Sequence, residues 1–185
     1  MKMAKVLALM SSARKKGNTD RLVDQMLKGA SEMGHECQKV CVSDLNIHPC
    51  IGCRSCNHNG NCVFKDDMVS LYQQLLEADV IVLASPVYFY TWNSQMKSVL
   101  DRTFAIENIL KNKDFYLITT GLALEEKYFD IMIECFKKYV QCFRAGGNQI
   151  VDYVLGMKTG NKNDIEKSEA MNQAYLMGKN IKDRW

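Results

Sequence analysis

Short apolar runs alternate along this chain with segments whose apolar residues recur at helical spacing. Lys5 to Met10 reads as a buried strand, and Leu22, Val23, Met26, Leu27, Ala30 and Met33 then repeat at helix spacing until Gly34 stops the helix. Gln38 to Val42 is a weaker strand, followed by an irregular stretch rich in asparagine and punctuated by Pro49, Gly52 and Gly60. Asp66 or Asp67 caps a helix whose inner face is Met68, Leu71, Tyr72, Leu75 and Leu76. Val80 to Ala84 is apolar throughout, as a parallel strand covered on both faces must be. Ser94 to Phe104 follows as a helix with Met96, Val99 and Leu100 inward. The second half repeats the rhythm. Phe115 to Thr119 is a strand, and Tyr128, Met132, Cys135, Phe136, Tyr139 and Phe143 line one face of a helix that Gly146 and Gly147 end. Gln149 to Leu155 makes a fifth strand, and Ile165 to Ile181 a last helix.

Five strands separated by helices predict an α/β fold, because parallel neighbours need right-handed crossover connections. The expected architecture is a flavodoxin-like doubly wound five-stranded parallel sheet of order 2-1-3-4-5 with helices on both faces, in one domain spanning residues 1–185. In such a sheet ligands bind beyond the carboxyl ends of the strands, at the switch point between strands one and three.

Charge narrows the partners. The formal net charge is +3, and lysine and arginine are interspersed with acids, so no nucleic-acid surface is expected. Lys2 and Lys5 precede an apolar run, Val6 to Met10, that is too short for an export signal, and no stretch is long enough to span a bilayer. A cytoplasmic location is the expectation. Its eight cysteines then read as reduced thiols, ligands or redox centres and not as a disulfide framework.

Two stretches fall at the expected ligand crevice. Ser11 to Thr19, SSARKKGNT, leads from the first strand into a helix, where successive amides, the helix dipole, the hydroxyls of Ser12 and Thr19 and the charge of Arg14 suit a phosphate monoester. The same residues also fit a plain polar loop with a helix cap at Asn18 or Thr19. Ser85 to Phe89 follows the third strand and offers peptide groups and aromatic surface to a flat heterocycle, while Tyr90 and Trp92 read as cover for the sheet end or a subunit contact. Thr119, Thr120, Gly121 and Leu122 supply a third wall.

Cys50, Cys53, Cys56 and Cys62 have C-x2-C-x2-C-x5-C spacing. Three thiolates at two-residue intervals can wrap one cubane with a fourth from a short excursion, the logic of four-cysteine [4Fe–4S] sites. Zinc usually takes two separated pairs. Free thiols remain the alternative. His48 and His58 flank the run as solvated loop residues, and Cys37, Cys41, Cys135 and Cys142 read as small core hydrophobes.

Taken together, Ser12 to Thr19, the four cysteines, Asp66-Asp67-Met68, Ser85-Pro86-Val87-Tyr88-Phe89 and Gln95-Met96-Lys97 through Asp101-Arg102 resemble the NADPH-dependent FMN reductase family, especially its iron–sulfur flavoprotein branch. The resemblance covers roughly the first 105 residues. It implies FMN held around Ser11, Ser12, Arg14, Gly17, Asn18 and Thr19 at its phosphate, and Pro86, Val87, Tyr88, Phe89, Thr119, Thr120 and Gly121 around its ring. NAD(P)H as donor, a homodimer or tetramer, and a [4Fe–4S] cluster on Cys50, Cys53, Cys56 and Cys62 are further implications. Ser11 stands where relatives usually carry glycine, and Ala13 where they often carry proline, which alters loop stiffness. Three function classes follow: a reductase of flavins, quinones, nitro or azo compounds, an iron–sulfur flavoprotein electron carrier, and a thiol or zinc sensor. No catalytic acid or base is expected, because the flavin does the chemistry; Asp66, Asp67 and Asp101 read as caps or salt-bridge partners. The basic predicted pI of 8.4 argues against an acidic flavodoxin-type carrier.

Overall fold

The computed structural model describes residues 3–57 and 60–182. Strands β1 (Lys5–Met10), β2 (Glu36–Cys41), β3 (Val80–Tyr88), β5 (Asp114–Thr120) and β6 (Gln149–Gly156) form a parallel sheet in the order β2-β1-β3-β5-β6. That is the expected order of five parallel strands. The difference is one added element: β3 runs on past Ala84 and pairs antiparallel with β4 (Thr91–Trp92), so the sheet has six strands.

Alternation along the strands builds two cores. Leu7, Leu9, Ile81, Leu83, Phe115 and Leu117 pack under α2 (Met68–Glu77), α3 (Ser94–Arg102) and α4 (Asp130–Gln141). Val6, Ala8, Met10, Val82, Ala84 and Ile118 pack on the other face, under α1 (Asn18–Glu32) and α5 (Ala170–Lys179). Side chains that alternate with period two therefore need a helical layer on each side. Between α1 and α5 the backbones meet closely: a methyl group on Gly29 would collide with the Tyr175 carbonyl, and one on Gly178 with that of Met26.

Several helix ends differ from the sequence reading. α1 begins at Asn18 with Gly17 as its cap residue, so neither Asn18 nor Thr19 is a side-chain cap. The segment expected as one helix from Ile165 to Ile181 is split: a 3-10 turn spans Asp164–Lys167, Ser168 adopts extended geometry, and α5 starts afresh at Ala170. Ser168 explains the break, since its hydroxyl accepts the Ala170 amide at 3.2 Å and offers the backbone an alternative to the helix. Cys142 is exposed just beyond α4, and Cys37, Cys41 and Cys135 are only partly buried, so none is a fully buried core residue. Trp92 does join the core, whereas Tyr90 is exposed. No helix among the described residues is long and apolar enough to cross a membrane.

Candidate functional site

The loop between β1 and α1 rises at the carboxyl edge of the sheet, between the ends of β1 and β3. Ser12, Arg14, Asn18 and Thr19 line one side of a cleft of about 260 Å³, and Pro86, Val87, Tyr88, Thr120 and Gly121 line the other. Nine of the residues expected at a phosphate and ring site thus come together. Gly17 sits just behind them, and its lack of a side chain is structural: a Cβ there would stand 2.7 Å from the Arg14 carbonyl oxygen. No side chain caps the first turn of α1. Its leading amides therefore keep the partial positive charge that suits an anion. One loop amide is already taken, because Lys16 N donates to Asp20 Oδ2 at 2.7 Å, and Lys39 Nζ balances Asp20 at 2.8 Å.

Three expected residues are placed differently. Ser11 is fully buried; its hydroxyl donates to the Asn93 Oδ1 at 2.7 Å and to the Ala84 carbonyl at 3.1 Å. Thr119 is equally buried and donates to the Ser85 carbonyl at 2.9 Å. Both tie the strand ends together beneath the cleft. Phe89 belongs instead to a second, apolar cavity of about 420 Å³, with Tyr90, Leu124, Tyr128 and Phe129. The two spaces share Val87, Gly121 and Leu122, so they adjoin. Phe89 and Tyr90 form the β3–β4 hairpin turn with positive φ values of 49° and 68°, and Phe89 is 99% exposed.

Sequence reading missed the far wall. Thr159 and Gly160, in the loop after β6, line the polar cleft. Arg14 Nη1 donates to the Gly160 carbonyl at 3.2 Å, and Asn18 Nδ2 to the Asn161 carbonyl at 2.7 Å. The Thr19 and Thr120 hydroxyls pair at 2.7 Å. A signal existed in the turn-forming Gly160 and Asn161 directly after the last strand, where every strand-end loop borders the crevice. Asn93 was also missed. It caps α3 by accepting the Met96 amide and donates its own side-chain amide to the Ser11 carbonyl.

The four cysteines of the 50–62 run line a third cavity, of about 400 Å³, together with Arg102, Phe104 and Ala105 at the far end of α3. Nine residues of helix separate that end from Asn93, roughly 14 Å by helical rise. The loop leaves the end of β2 and reaches the C-terminal end of α3, where Arg102 Nη1 donates to the His48 carbonyl at 2.8 Å. Cys50 and Cys53 are exposed, Cys56 and Cys62 are half-buried, and all four are free thiols. Hydrogen bonding from Ser55 holds the Cys53 thiol below its ordinary range. Among the described residues, no three cysteine, histidine or acidic side chains converge tightly enough for a single metal ion. A cubane places each thiolate on a different iron, so it needs a wider ring of sulfurs than one ion does. His48 is exposed with its ring 5.1 Å from that of Phe64, and His58 lies outside the described residues.

Asp66 anchors this loop. It forms a buried fork with Arg102, at 2.7 and 3.0 Å, and accepts the amides of His48 and Met68 at 2.9 and 3.2 Å. Burial works to raise the Asp66 carboxyl, but Arg102 and the amides leave it below the usual carboxylate range. Asp67 accepts the Asn46 amide at 2.7 Å, and Asp101 pairs with Lys97 at 2.6 Å, so the acids serve as caps and ion-pair partners.

Residues 4–126 match the family model of NADPH-dependent FMN reductase. An iron–sulfur flavoprotein of Archaeoglobus fulgidus is 40% identical over 98 residues, 53% of this chain and 44% of that protein. One from Methanocaldococcus jannaschii is 38% identical over 99 residues, 54% of this chain and 51% of that protein. The chain spans about half the length of the curated relatives it matches. In fold it is similar to an NAD(P)H:quinone oxidoreductase from Methanothermobacter marburgensis, with a TM-score of 0.80 at 14% identity over 100% of this chain and 98% of that one. An azoreductase from Bacillus anthracis gives a TM-score of 0.70 at 13% identity over 96% and 99%.

Proposed function

The chain belongs to the NADPH-dependent FMN reductase family, and from that membership we propose that it binds FMN and carries electrons from NAD(P)H to a small acceptor such as a flavin, quinone, nitro or azo compound. The observation that carries this reading is the pair of adjoining clefts. One is polar and opens on an uncapped helix N-terminus; the other is apolar and aromatic, and Val87, Gly121 and Leu122 join them. A phosphate and a flat ring joined by a short chain fit that sequence of surfaces.

Each residue has a part in this scheme. Ser12, Arg14, Asn18 and Thr19 hold the phosphate, with Arg14 supplying the fixed charge. Gly17 lets the loop turn close enough to present its amides. Val87, Tyr88, Thr120 and Gly121 flank the ring, and a side chain at Gly121 would press on Phe129, with a Cβ only 3.3 Å from that ring. Ser11, Ser85, Asn93 and Thr119 keep the strand ends in register below. When bound, FMN accepts a hydride and releases electrons singly or in pairs. The protein orients the ring, leaves one face open to the donor and uses no side chain as acid or base. Phe89, fully exposed at its hairpin tip, suits a boundary with a second subunit of a homodimer or tetramer.

The cysteine cavity supports a finer reading. Cys50, Cys53, Cys56 and Cys62 face one space, none is oxidised, and the relatives above are named for an iron–sulfur group. They would hold a [4Fe–4S] cluster as a second, one-electron centre. The test is anaerobic purification with flavin, iron and sulfide quantitation, followed by NADPH and NADH oxidation with a quinone. A colourless protein that takes up no FMN at micromolar concentration overturns the flavin reading; flavin without iron or sulfide after reconstitution overturns the cluster alone.

A further inference from the structure

Asp20 stands in the first turn of α1 but does not line the polar cleft; its side chain, 8% exposed, reaches β2, where Lys39 Nζ meets Oδ1 at 2.8 Å. The other oxygen holds the loop. Oδ2 accepts the amide of Lys16, four residues back in the chain, at 2.7 Å. Lys16 has a φ of 56°, in the left-handed region that lysine rarely enters. Such geometry persists only where the surroundings impose it. Gly17 comes next and returns its amide to the Arg14 carbonyl at 2.9 Å, and Asn18 and Thr19 follow on the cleft wall. The turn at Lys16 therefore sets where Arg14 stands relative to the start of α1.

An acid in a first helical turn ordinarily does no more than complement the helix dipole. Asp20 differs in two ways. Its bond goes to an amide that precedes the helix, and Lys39, which also bridges Asp24, pairs with it where water is largely excluded. The other ties between this loop and the β2 side are weaker. Lys15 and Asp44 pair at 3.0 Å in an exposed position, and the Ser43 hydroxyl reaches the Ser12 carbonyl only at 3.4 Å.

We propose that Asp20, held by Lys39, is a positioning residue for the phosphate of the mononucleotide: it fixes the Lys16 turn from behind, so that Arg14 and the first amides of α1 converge on one anion. This rests on the flavin reading given above. Charge and hydrogen bond predict opposite signs. A carboxylate near the cleft repels an anion, so if charge alone mattered its removal would tighten binding. If the bond to Lys16 matters, removal loosens the turn and weakens binding of the phosphate while leaving the ring surfaces as they are.

The experiment is equilibrium dialysis of the full chain against FMN and, separately, riboflavin, as wild type, Asp20→Ala, Asp20→Asn, Lys39→Met and Lys39→Met with Asp20→Asn. Far-UV circular dichroism reports folding. Asp20→Ala is expected to bind FMN about tenfold more weakly and riboflavin within about twofold of wild type. Asparagine keeps an oxygen for the Lys16 amide, so Asp20→Asn should retain FMN within about threefold. Lys39→Met leaves Asp20 and Asp24 facing each other without a cation; FMN affinity should fall, and adding Asp20→Asn should restore it. Unchanged or tighter FMN binding by Asp20→Ala overturns the proposal, as does equal loss of both ligands, the result of mere support for the helix. If Asp20→Ala fails to fold, the others decide: an Asp20→Asn protein about tenfold weaker for FMN, or a double variant no better than Lys39→Met, overturns it. A folded wild-type chain that binds neither ligand overturns the flavin reading, and this role with it.

Discussion

Asn93 donates its side-chain amide to the carbonyl oxygen of Ser11 at 2.7 Å, and Ser11 returns its hydroxyl to Asn93 Oδ1 at the same distance. This reciprocal bond, 82 residues apart in sequence, fixes the end of β1 against the start of α3 directly beneath the polar cleft.

Replacing Asn93 with alanine removes the α3 cap and strands the Ser11 carbonyl in a dry site, leaving the Ser11 hydroxyl only the Ala84 carbonyl. The expected cost is on the order of 3 kcal/mol, one lost cap plus unsatisfied buried groups. Urea denaturation of Asn93→Ala checks it, and an unchanged midpoint contradicts the role given to this pair.

Arg14 is the charged side chain of the β1–α1 loop that lines the cleft. Arg14→Ala is expected to weaken FMN retention about tenfold, at the lower end for a charge-assisted bond. Riboflavin, which lacks the phosphate, should bind both proteins alike. Equilibrium dialysis with each ligand distinguishes a phosphate contact from a general disturbance of the loop.

A methyl group at Gly17 meets backbone, which cannot rotate away. Gly17→Ala should therefore distort the loop, lowering FMN affinity more than it lowers stability, which falls by about 1–3 kcal/mol. Retained affinity would place the phosphate elsewhere.

Acid should undo the Asp66–Arg102 fork. The Asp66 carboxyl is held below its unfolded value, so its contribution is fully present above about pH 4 and disappears as pH falls through the depressed folded value. Asp66→Asn leaves the guanidinium uncompensated and should cost about 3–5 kcal/mol at pH 7. The gap between wild type and variant is expected to close as the pH falls through that depressed folded value, and denaturation midpoints measured from neutral pH into acid test the sign.

The hairpin tip invites the opposite change. Phe89 and Tyr90 hold the positive φ values that two-residue turns ordinarily assign to Asn and Gly. Phe89→Asn with Tyr90→Gly should stabilise the chain by about 1–2 kcal/mol through relief of strain, measurable as a raised melting temperature.

How far the residues foretold this site depends on which force placed them. The strands, both helical layers and the polar loop follow from periodicity and a helix start, which are local signals, while the strand order follows from the crossover rule for doubly wound sheets. Ser11 and Thr119 read as ligand groups because they flank the right motifs. Their burial depends on strand neighbours that no local pattern reveals. Gly160 and Asn161 carried only a turn signal, and their value comes from lying beside Arg14, 146 residues away for Gly160. The cysteine run announced its chemistry but not its position, since an irregular loop has no periodicity to fix its course.

The loop after β6 makes the polar cleft a product of both ends of the fold. A nascent chain that has emerged only through β5 has the β1–α1 turn but lacks the carbonyls that steady Arg14 and Asn18. Under the flavin reading proposed above, full cofactor affinity is then expected only after the last strand has docked, so an empty protein would be a finished one and not a stalled intermediate.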